Sequence, residues 1–478
     1  MKPYYNMNPW QQPGWLEARK GILHFDGIEV PDEVGRRGSP LFLYSERRLR
    51  RNAKYLREAF SQRFPNTRLC FAAKACVLPA VLAIMRDEGL SLEVNSAGEL
   101  LRGLKAGFRP SDMVLNGVAK CRDEIVQALH SPIKSINVDS FFELVRIDQV
   151  AVERRVTANI ALRVVPELEG GTTPGTETGS SLSKFGMSRE DMHRCLELIR
   201  SKPNSLRLAG MHVHIGSQIT SPAAFARAAE ILCDIADAAQ SKTGSKLEHV
   251  NAGGGFPVNY LKYRERAAQD YLHFDKSIDE FAAALTGPIR KRLGTDIELL
   301  IEPGRSLVAD AAILACRLEN VKQRPDGTWL YADAGYHTLP DALSYKWYYH
   351  CINASRAGDN DTAAFRLVGP LCDNGDSFYD VDGETMMRRL LDAEPQLAKF
   401  RGTLEKHLVR LPPFRELPAA TVPGDVLAFL DTGAYCSDQI FGMNGRGRPE
   451  IVLVGTDGRV RTIRRRDSFD DMLLNEMS

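Results

Sequence analysis

Short runs of apolar and β-branched residues alternate with longer segments of helical periodicity between residues 69 and 303. This alternation predicts repeated strand–helix units that form a parallel sheet, with helices between the runs at, for example, residues 97–105 and 225–239. Eight runs favour an α/β fold with a closed (β/α)8 barrel of the TIM type over an open sheet. The eight predicted strands lie at residues 69–73, 91–95, 112–117, 135–139, 159–165, 208–214, 247–253 and 297–303.

The pattern changes after residue 305, where strand-like pieces are separated by Gly, Pro and Asp turns without regular helices between them. It predicts a β domain of the β-sandwich or Greek-key barrel type at residues 306–478, with a charged helical insertion near residues 383–417. We assign residues 46–305 to the barrel. Residues 1–45 form an N-terminal arm with strand-like segments that we expect to join the β domain, which makes this domain discontinuous in sequence.

The charge balance indicates a small-molecule ligand. The chain of 478 residues has 62 Lys and Arg and 61 Asp and Glu, so its net charge of +1 creates no overall field for nucleic acid or an anionic membrane. The nine cysteines are odd in number, dispersed and without a C-x-x-C pair, which favours reduced thiols, a cytoplasmic location and no zinc site. The N-terminus lacks the apolar core of a signal peptide, and no stretch is apolar enough to span a bilayer.

Polar and ionisable residues stand at the ends of the eight predicted strands, where barrel enzymes keep their active sites. Short polar residues at such positions also commonly cap the following helix. For Asn116 and Asp139 we favour the capping interpretation. The strand-end residues are Lys74, Glu93, Asn116, Asp139, Arg163, His214, Gly253 and Glu302.

Lys74 ends the apolar segment FAAK. A lysine at this place is either a surface group whose stem lies along apolar surface or an amine held in the mouth of the barrel. An amine of the second kind loses its proton more readily and can form a Schiff base with an aldehyde cofactor. The other motifs favour this second role.

Three motifs near the seventh, eighth and sixth strands suit a phosphorylated cofactor. The run NAGGGF at residues 251–256 lets backbone N–H groups approach a phosphate closely, and barrels often bind phosphate after the seventh and eighth strands. In EPGRS, Glu302 could hold a proton on a pyridine nitrogen, and Arg305 could bind phosphate or organise the loop. In HVHIGSQ, His212 and His214 lie two apart and face one side of the strand, so one could stack on a ring. Metal ligation there is disfavoured, since no acidic or cysteine partner is near in sequence.

With these motifs the chain resembles the fold-type III pyridoxal phosphate-dependent decarboxylases, the group of diaminopimelate, ornithine and arginine decarboxylases. The resemblance spans nearly the whole chain. The matching segments, in family order, are FAAKAC, EVNSAGEL, SKFGM, HVHIGSQ, GGGF, EPGR, GPLCDNGDSF and GAYCSDQIFGMNGRGRPEIVLV.

The resemblance implies a role for each matching residue. Lys74 would carry pyridoxal phosphate covalently, His214 would stack on it, and Glu302 would pair with its pyridine nitrogen. Cys372 would protonate Cα after carbon dioxide leaves, and Asp373 would contact the substrate side chain, as we also expect of Arg163. The Cys372 segment would come from a second subunit, which implies a homodimer with shared active sites. The phosphate would be held by Ser217, Gly254, Gly255, Gly304, Arg305 and Tyr435.

Three departures from diaminopimelate decarboxylases concern the substrate. Asp373 follows the cysteine where those enzymes usually have Glu. The Arg that precedes their Pro-Ala-Leu-Tyr run and grips a distal carboxylate is absent from HTLPDALSYKW at residues 337–347. Met443 replaces an aromatic residue before Asn444. We therefore expect an amino acid, or a conjugated amino-acid intermediate, other than diaminopimelate.

Two other functions are compatible with a barrel that binds this cofactor. An alanine racemase shares the barrel and the cofactor, but it uses an Arg at the pyridine nitrogen and a tyrosine as second base, which Glu302 and Cys372 disfavour. A non-catalytic homologue would tend to lose cofactor residues, whereas Lys74, His214, Glu302, Cys372 and Tyr435 are all present.

Overall fold

The computed structural model describes residues 10–168, 176, 178–180, 183–262 and 272–477. These residues divide into two compact units. The β unit comprises the described residues within Met1–Arg48, Asn259–His273 and Ala309–Ser478. The barrel unit comprises those within Leu49–Val258 and Phe274–Val308.

The β unit begins with a small antiparallel sheet of three strands, β1 (Leu16–Arg19), β2 (Ile22–Phe25) and β3 (Ile28–Glu29). Helix α1 (Val30–Arg37) follows and ends at Gly38, whose φ of +87° suits glycine. Strand β4 (Leu41–Ser45) is wholly buried and enters the large sheet of this unit.

The barrel unit contains eight parallel strands that close into a barrel, as predicted. Each predicted run overlaps one strand, and the helices expected at residues 97–105 and 225–239 are present. The strands are β5 (Thr67–Ala72), β6 (Ser91–Val94), β7 (Met113–Leu115), β8 (Ser135–Val138), β9 (Ala158–Arg163), β10 (Leu206–His212), β11 (His249–Asn251) and β12 (Glu298–Ile301).

Helices connect these strands and follow from local sequence signals. Four of them begin after a serine whose side chain accepts the backbone N–H three residues on, the expected N-terminal cap. The capping serines are Ser96, Ser140, Ser188 and Ser277. The helices are α2 (Glu46–Ser61), α3 (Pro79–Asp87), α4 (Ala97–Lys105), α5 (Arg122–His130), α6 (Phe141–Arg154), α7 (Arg189–Ser201), α8 (Pro222–Thr243), α9 (Ile278–Leu293) and α10 (Arg305–Val308).

The rest of the β unit is mainly sheet, as predicted. A nine-stranded sheet has the order β17-β16-β14-β13-β4-β19-β20, and β18 pairs with β13 and β15. The first part of the long strand β13 pairs with β4 and β18, and its second part pairs with β14. Its strands are β13 (Ala312–Arg324), β14 (Gly327–Ala332), β15 (Cys351–Asn353), β16 (Thr362–Val368), β17 (Arg415–Pro418), β18 (Val426–Leu430), β19 (Glu450–Val454) and β20 (Val460–Arg464), together with β4.

Besides α1, the described part of the β unit contains α11 (Pro340–Ser344), α12 (Val381–Ala393), α13 (Arg401–Leu408) and α14 (Phe469–Leu473). The helical insertion expected near residues 383–417 is shorter than predicted. Residues 415–417 belong to β17, which is held by hydrogen bonds to β16. These bonds join segments distant in sequence, so the helical periodicity of the charged segment does not reveal them.

Candidate active site

Lys74 lies in a single 3-10 turn, Ala73–Ala75, directly after β5 at the mouth of the barrel. Its Nζ is 3.3 Å from Oε2 of Glu93, a fully buried residue of β6. Burial raises the pKa of Glu93, although the positive charge of Lys74 opposes this. The site therefore holds an amine beside a carboxyl group that has been removed from water.

Glu302 follows β12 and is held by three side chains from other strands. Asn251 Nδ2 donates to its Oε1 at 2.7 Å, Asn116 Nδ2 donates at 3.1 Å, and His212 Nε2 lies 3.5 Å from its Oε2. Burial opposes ionisation of Glu302, but His212 and Lys74 outweigh it and keep the pKa of this carboxyl well below its ordinary value. The result is a fixed carboxylate inside the barrel.

The capping interpretation of Asn116 and Asp139 is wrong. Ser140, rather than Asp139, caps α6, and the Asp139 carboxylate accepts the N–H of Gly186 at 3.0 Å. Asn116 donates to Glu302 and also to Glu93 at 2.7 Å. Asn116 bonds carboxylates of other barrel strands and Asp139 bonds the loop that follows β9, so neither side chain caps the following helix.

His214 follows β10 and presents a neutral imidazole. Its Nδ1 accepts the backbone N–H of Gly254 at 3.0 Å, so the other ring nitrogen carries the proton. Burial lowers the pKa of His214 well below its ordinary value, and the charges of Lys74 and Arg163 lower it further. A flat, uncharged ring fits the predicted stacking on a cofactor.

The glycine run after β11 packs against neighbouring backbone so closely that side chains are excluded there. A Cβ on Gly254 would lie 2.0 Å from the carbonyl oxygen of Glu302. Gly255 has a φ of +104°, and a Cβ there would lie 2.5 Å from the carbonyl oxygen of Gly216. Nearby, the buried Arg305, which follows Gly304, donates through Nε to Ser217 Oγ at 3.2 Å. Close backbone, an arginine and a hydroxyl together suit a phosphate.

Arg163 is the last residue of β9 and is buried. Its guanidinium lies 4.7 Å from the ring centre of Phe185 and 3.7 Å from Oδ1 of Asp139. The structure thus brings Lys74, Glu93, His214, Glu302 and Arg163 together at the mouth of the barrel.

Cys372, Asp373 and Tyr435 belong to the β unit. Cys372 has an exposed thiol, and its backbone N–H donates to Asn444 Oδ1 at 2.9 Å. Asp373, also exposed, accepts the hydroxyl of Tyr336 at 2.7 Å. Tyr435 follows β18 and has a φ of +59°.

Sequence reasoning missed the parts played by Asn251, His212 and Tyr336. Asn251 and His212 lay within recognised motifs, but their common partner Glu302 is distant in sequence. In the part of the chain that the structure describes, no group of three or more His, Cys, Asp or Glu could hold a metal ion. Among the same residues, none of the helices combines the length and the hydrophobicity of a transmembrane span.

Residues 48–309 match the family model of the pyridoxal-dependent decarboxylase, pyridoxal binding domain. The chain is 32% identical to diaminopimelate decarboxylase of Methanothermobacter thermautotrophicus, over 94% of this chain and 93% of that protein. It is 30% identical to the enzyme of that name from Haemophilus influenzae, over 96% and 98%. The crystal structure of diaminopimelate decarboxylase from M. jannaschii superposes with a TM-score of 0.81, at 28% identity, over 97% of this chain and 98% of that one.

Proposed function

The chain belongs to the pyridoxal-dependent decarboxylases, and from that premise we propose that its substrate is an amino acid whose side chain carries a distal ammonium group or is otherwise modified, with meso-diaminopimelate a poor substrate. It is a pyridoxal phosphate-dependent amino-acid decarboxylase. When bound, pyridoxal phosphate accepts the electrons that are released as the α-carboxylate leaves.

The residues of the barrel mouth suit this cofactor. Lys74 would supply the amine that holds it, and His214 would stack on its ring. The fixed carboxylate of Glu302 would keep a proton on the pyridine nitrogen, which requires an anion that stays ionised. The phosphate would be held by Ser217, Gly254, Gly255, Gly304 and Arg305 of the barrel unit.

Asp373 is the observation that carries the choice of a distal ammonium group; meso-diaminopimelate has one too, so its exclusion rests on the missing arginine of residues 337–347. Its carboxylate accepts the N–H of Gly375 at 2.8 Å and the hydroxyl of Tyr336 at 2.7 Å, and these bonds lower its pKa. An ionised, exposed carboxylate next to Cys372 attracts a cation and repels an anion.

The stretch 337–347 lacks the arginine that would bind a distal carboxylate. Its lysine, Lys346, is already engaged, since Nζ lies 2.9 Å from Asp382 and 3.6 Å from Asp380. Asp341, in the same stretch, is buried. A distal carboxylate would therefore enter without a cation from this segment.

Arg446 supports a second candidate, a conjugated intermediate with an additional anionic part. Its exposed guanidinium makes no hydrogen bond or ion pair with any residue that the structure describes. It lies two residues after Asn444, which contacts Cys372. Arg446→Met should weaken the binding of a conjugated substrate and leave the binding of a simple diamino acid unchanged.

We also propose that the enzyme is a homodimer in which Cys372 of one subunit serves the Lys74 site of the other. Cys372 would return the proton to Cα, because its thiol is exposed and a thiol can act as an acid. Measuring carbon dioxide release from basic amino acids, meso-diaminopimelate and conjugated amino acids tests the proposed substrate class.

A further inference from the structure

The phenol of Tyr336 connects two segments of the β unit. Its hydroxyl donates to Asp373 Oδ2 at 2.7 Å and lies 3.1 Å from the sulfur of Met443. Its ring packs against Phe441, with 5.6 Å between ring centres. Only 6% of the residue is exposed, whereas Asp373 is exposed. The buried tyrosine thus supports the exposed carboxylate.

The backbones that carry these two side chains are held by a single buried carboxylate, that of Asp376. Its Oδ1 accepts the N–H of Tyr336 and its Oδ2 accepts the N–H of Leu371, both at 2.7 Å. Two glycines leave space for it, since a Cβ on Gly335 or Gly369 would approach its oxygens to 2.3 and 2.2 Å. The spacing between Tyr336 and the Cys372 loop is therefore fixed by backbone bonds.

This arrangement sets the orientation of the Asp373 carboxylate. Oδ1 accepts the N–H of Gly375, and Oδ2 accepts the hydroxyl of Tyr336. Each carboxylate oxygen can accept two hydrogen bonds, so both oxygens keep a place for a further donor. Burial and the neighbouring Asp373 raise the pKa of Tyr336 to about 12, so the phenol keeps its proton and remains the donor.

We infer that Tyr336 is a specificity-determining residue that orients Asp373 toward the distal ammonium of the substrate. The inference rests on the proposed amine-bearing substrate. Tyr336 acts through Asp373 and is a positioning residue. A hydrogen bond to a charged group is strong enough to change ligand preference about ten-fold.

Pairs of amines that differ only at the distal end test this role. The probes are 1,3-diaminopropane, 1,4-diaminobutane and 1,5-diaminopentane, each against the monoamine of equal length, with dissociation constants read from the visible absorbance of the cofactor-loaded enzyme. We expect the wild type to prefer at least one diamine by about ten-fold. Tyr336→Phe should reduce that preference about five-fold or more, and Asp373→Asn should abolish it.

Tyr331→Phe is the matched control, because Tyr331 lies on β14 and its hydroxyl bonds Arg324 instead. It should keep the wild-type preference. The pH dependence shows whether Tyr336→Phe changes the orientation of Asp373 or damages the loop that carries it. Without the phenol the pKa of Asp373 rises, so the affinity for diamines is lost at a higher pH during acidification. A damaged loop would weaken both amines equally at every pH.

The outcomes distinguish the two proposals. If the wild type prefers a diamine and Tyr336→Phe retains the full preference and pH profile, the role of Tyr336 is wrong while the amine-bearing substrate stands. If the wild type shows no diamine preference at any length, the amine-bearing substrate and the role of Tyr336 are both overturned.

Discussion

Glu93 and Glu302 are two buried carboxyl groups that share one amide, because Asn116 Nδ2 donates to Glu93 at 2.7 Å and to Glu302 at 3.1 Å. Their pKa values move apart. Burial raises the pKa of Glu93, whereas Glu302, although equally buried, is kept ionised by His212 and Lys74. Such divergence is typical of carboxyl groups with different roles in one active site.

This divergence predicts opposite pH effects in the cofactor-free protein. The lowered pKa of Glu302 stabilises the fold above about pH 4.3 and loses that contribution as the pH falls. The raised pKa of Glu93 stabilises the fold below about pH 4.3, and that contribution is lost as the pH rises.

Melting temperatures should therefore fall less on acidification in Glu302→Gln than in the wild type. Relative to the wild type, Glu93→Gln should gain stability as the pH rises toward neutrality. Parallel curves for all three proteins would contradict this account.

Replacing Lys74 should remove the covalent attachment of the cofactor. We expect Lys74→Ala to lose the yellow absorbance and decarboxylation, because no other amine stands beside Glu93 in the structure that is described. Mass spectrometry after borohydride reduction would locate the attachment. Lys105→Ala, at the exposed end of α4, serves as the control and should behave as wild type. Retained attachment in Lys74→Ala would place it on another lysine.

Adding a methyl group at Gly254 should weaken cofactor binding, because the new Cβ would lie 2.0 Å from the carbonyl oxygen of Glu302. We expect the dissociation constant of pyridoxal phosphate in Gly254→Ala to rise about ten-fold or more, by equilibrium dialysis. Gly287→Ala is the matched control, since nothing lies within 4 Å of its added Cβ on α9. It should bind normally and gain roughly 0.5–1 kcal/mol of stability. Equal affinities in the two variants would count against a phosphate site at the glycine run.

A shared active site predicts complementation between inactive subunits. Mixing Lys74→Ala with Cys372→Ala should restore up to about a quarter of the wild-type activity, since half of the randomly formed dimers carry one intact site. The control mixes Lys74→Ala with Cys121→Ala, which alters the other exposed cysteine. It gives the activity that a functional subunit contributes to such a mixture. No recovery despite demonstrated subunit exchange would show that Cys372 acts within its own chain.

Most of the barrel could be predicted from the sequence because each of its strands is a local apolar run. Lys74, His214 and Glu302 could be placed at its mouth because each stands at the end of such a run or just after it. Which polar groups converge on Glu302 could not be predicted, since Asn116 and Asn251 meet it only through closure of strands that are distant in sequence. For the same reason the pairing of Tyr336 with Asp373, across two loops of the β unit, left no local signal.

The most direct test of the proposed substrate class compares kcat/KM for lysine, ornithine, arginine and meso-diaminopimelate. Leaving a distal carboxylate without a cation costs about 2–5 kcal/mol, so we expect meso-diaminopimelate to fall at least about 30-fold below the best basic amino acid. Failure of all four would direct the search to a conjugated substrate. A kcat/KM for meso-diaminopimelate that exceeds the others by orders of magnitude would contradict the account.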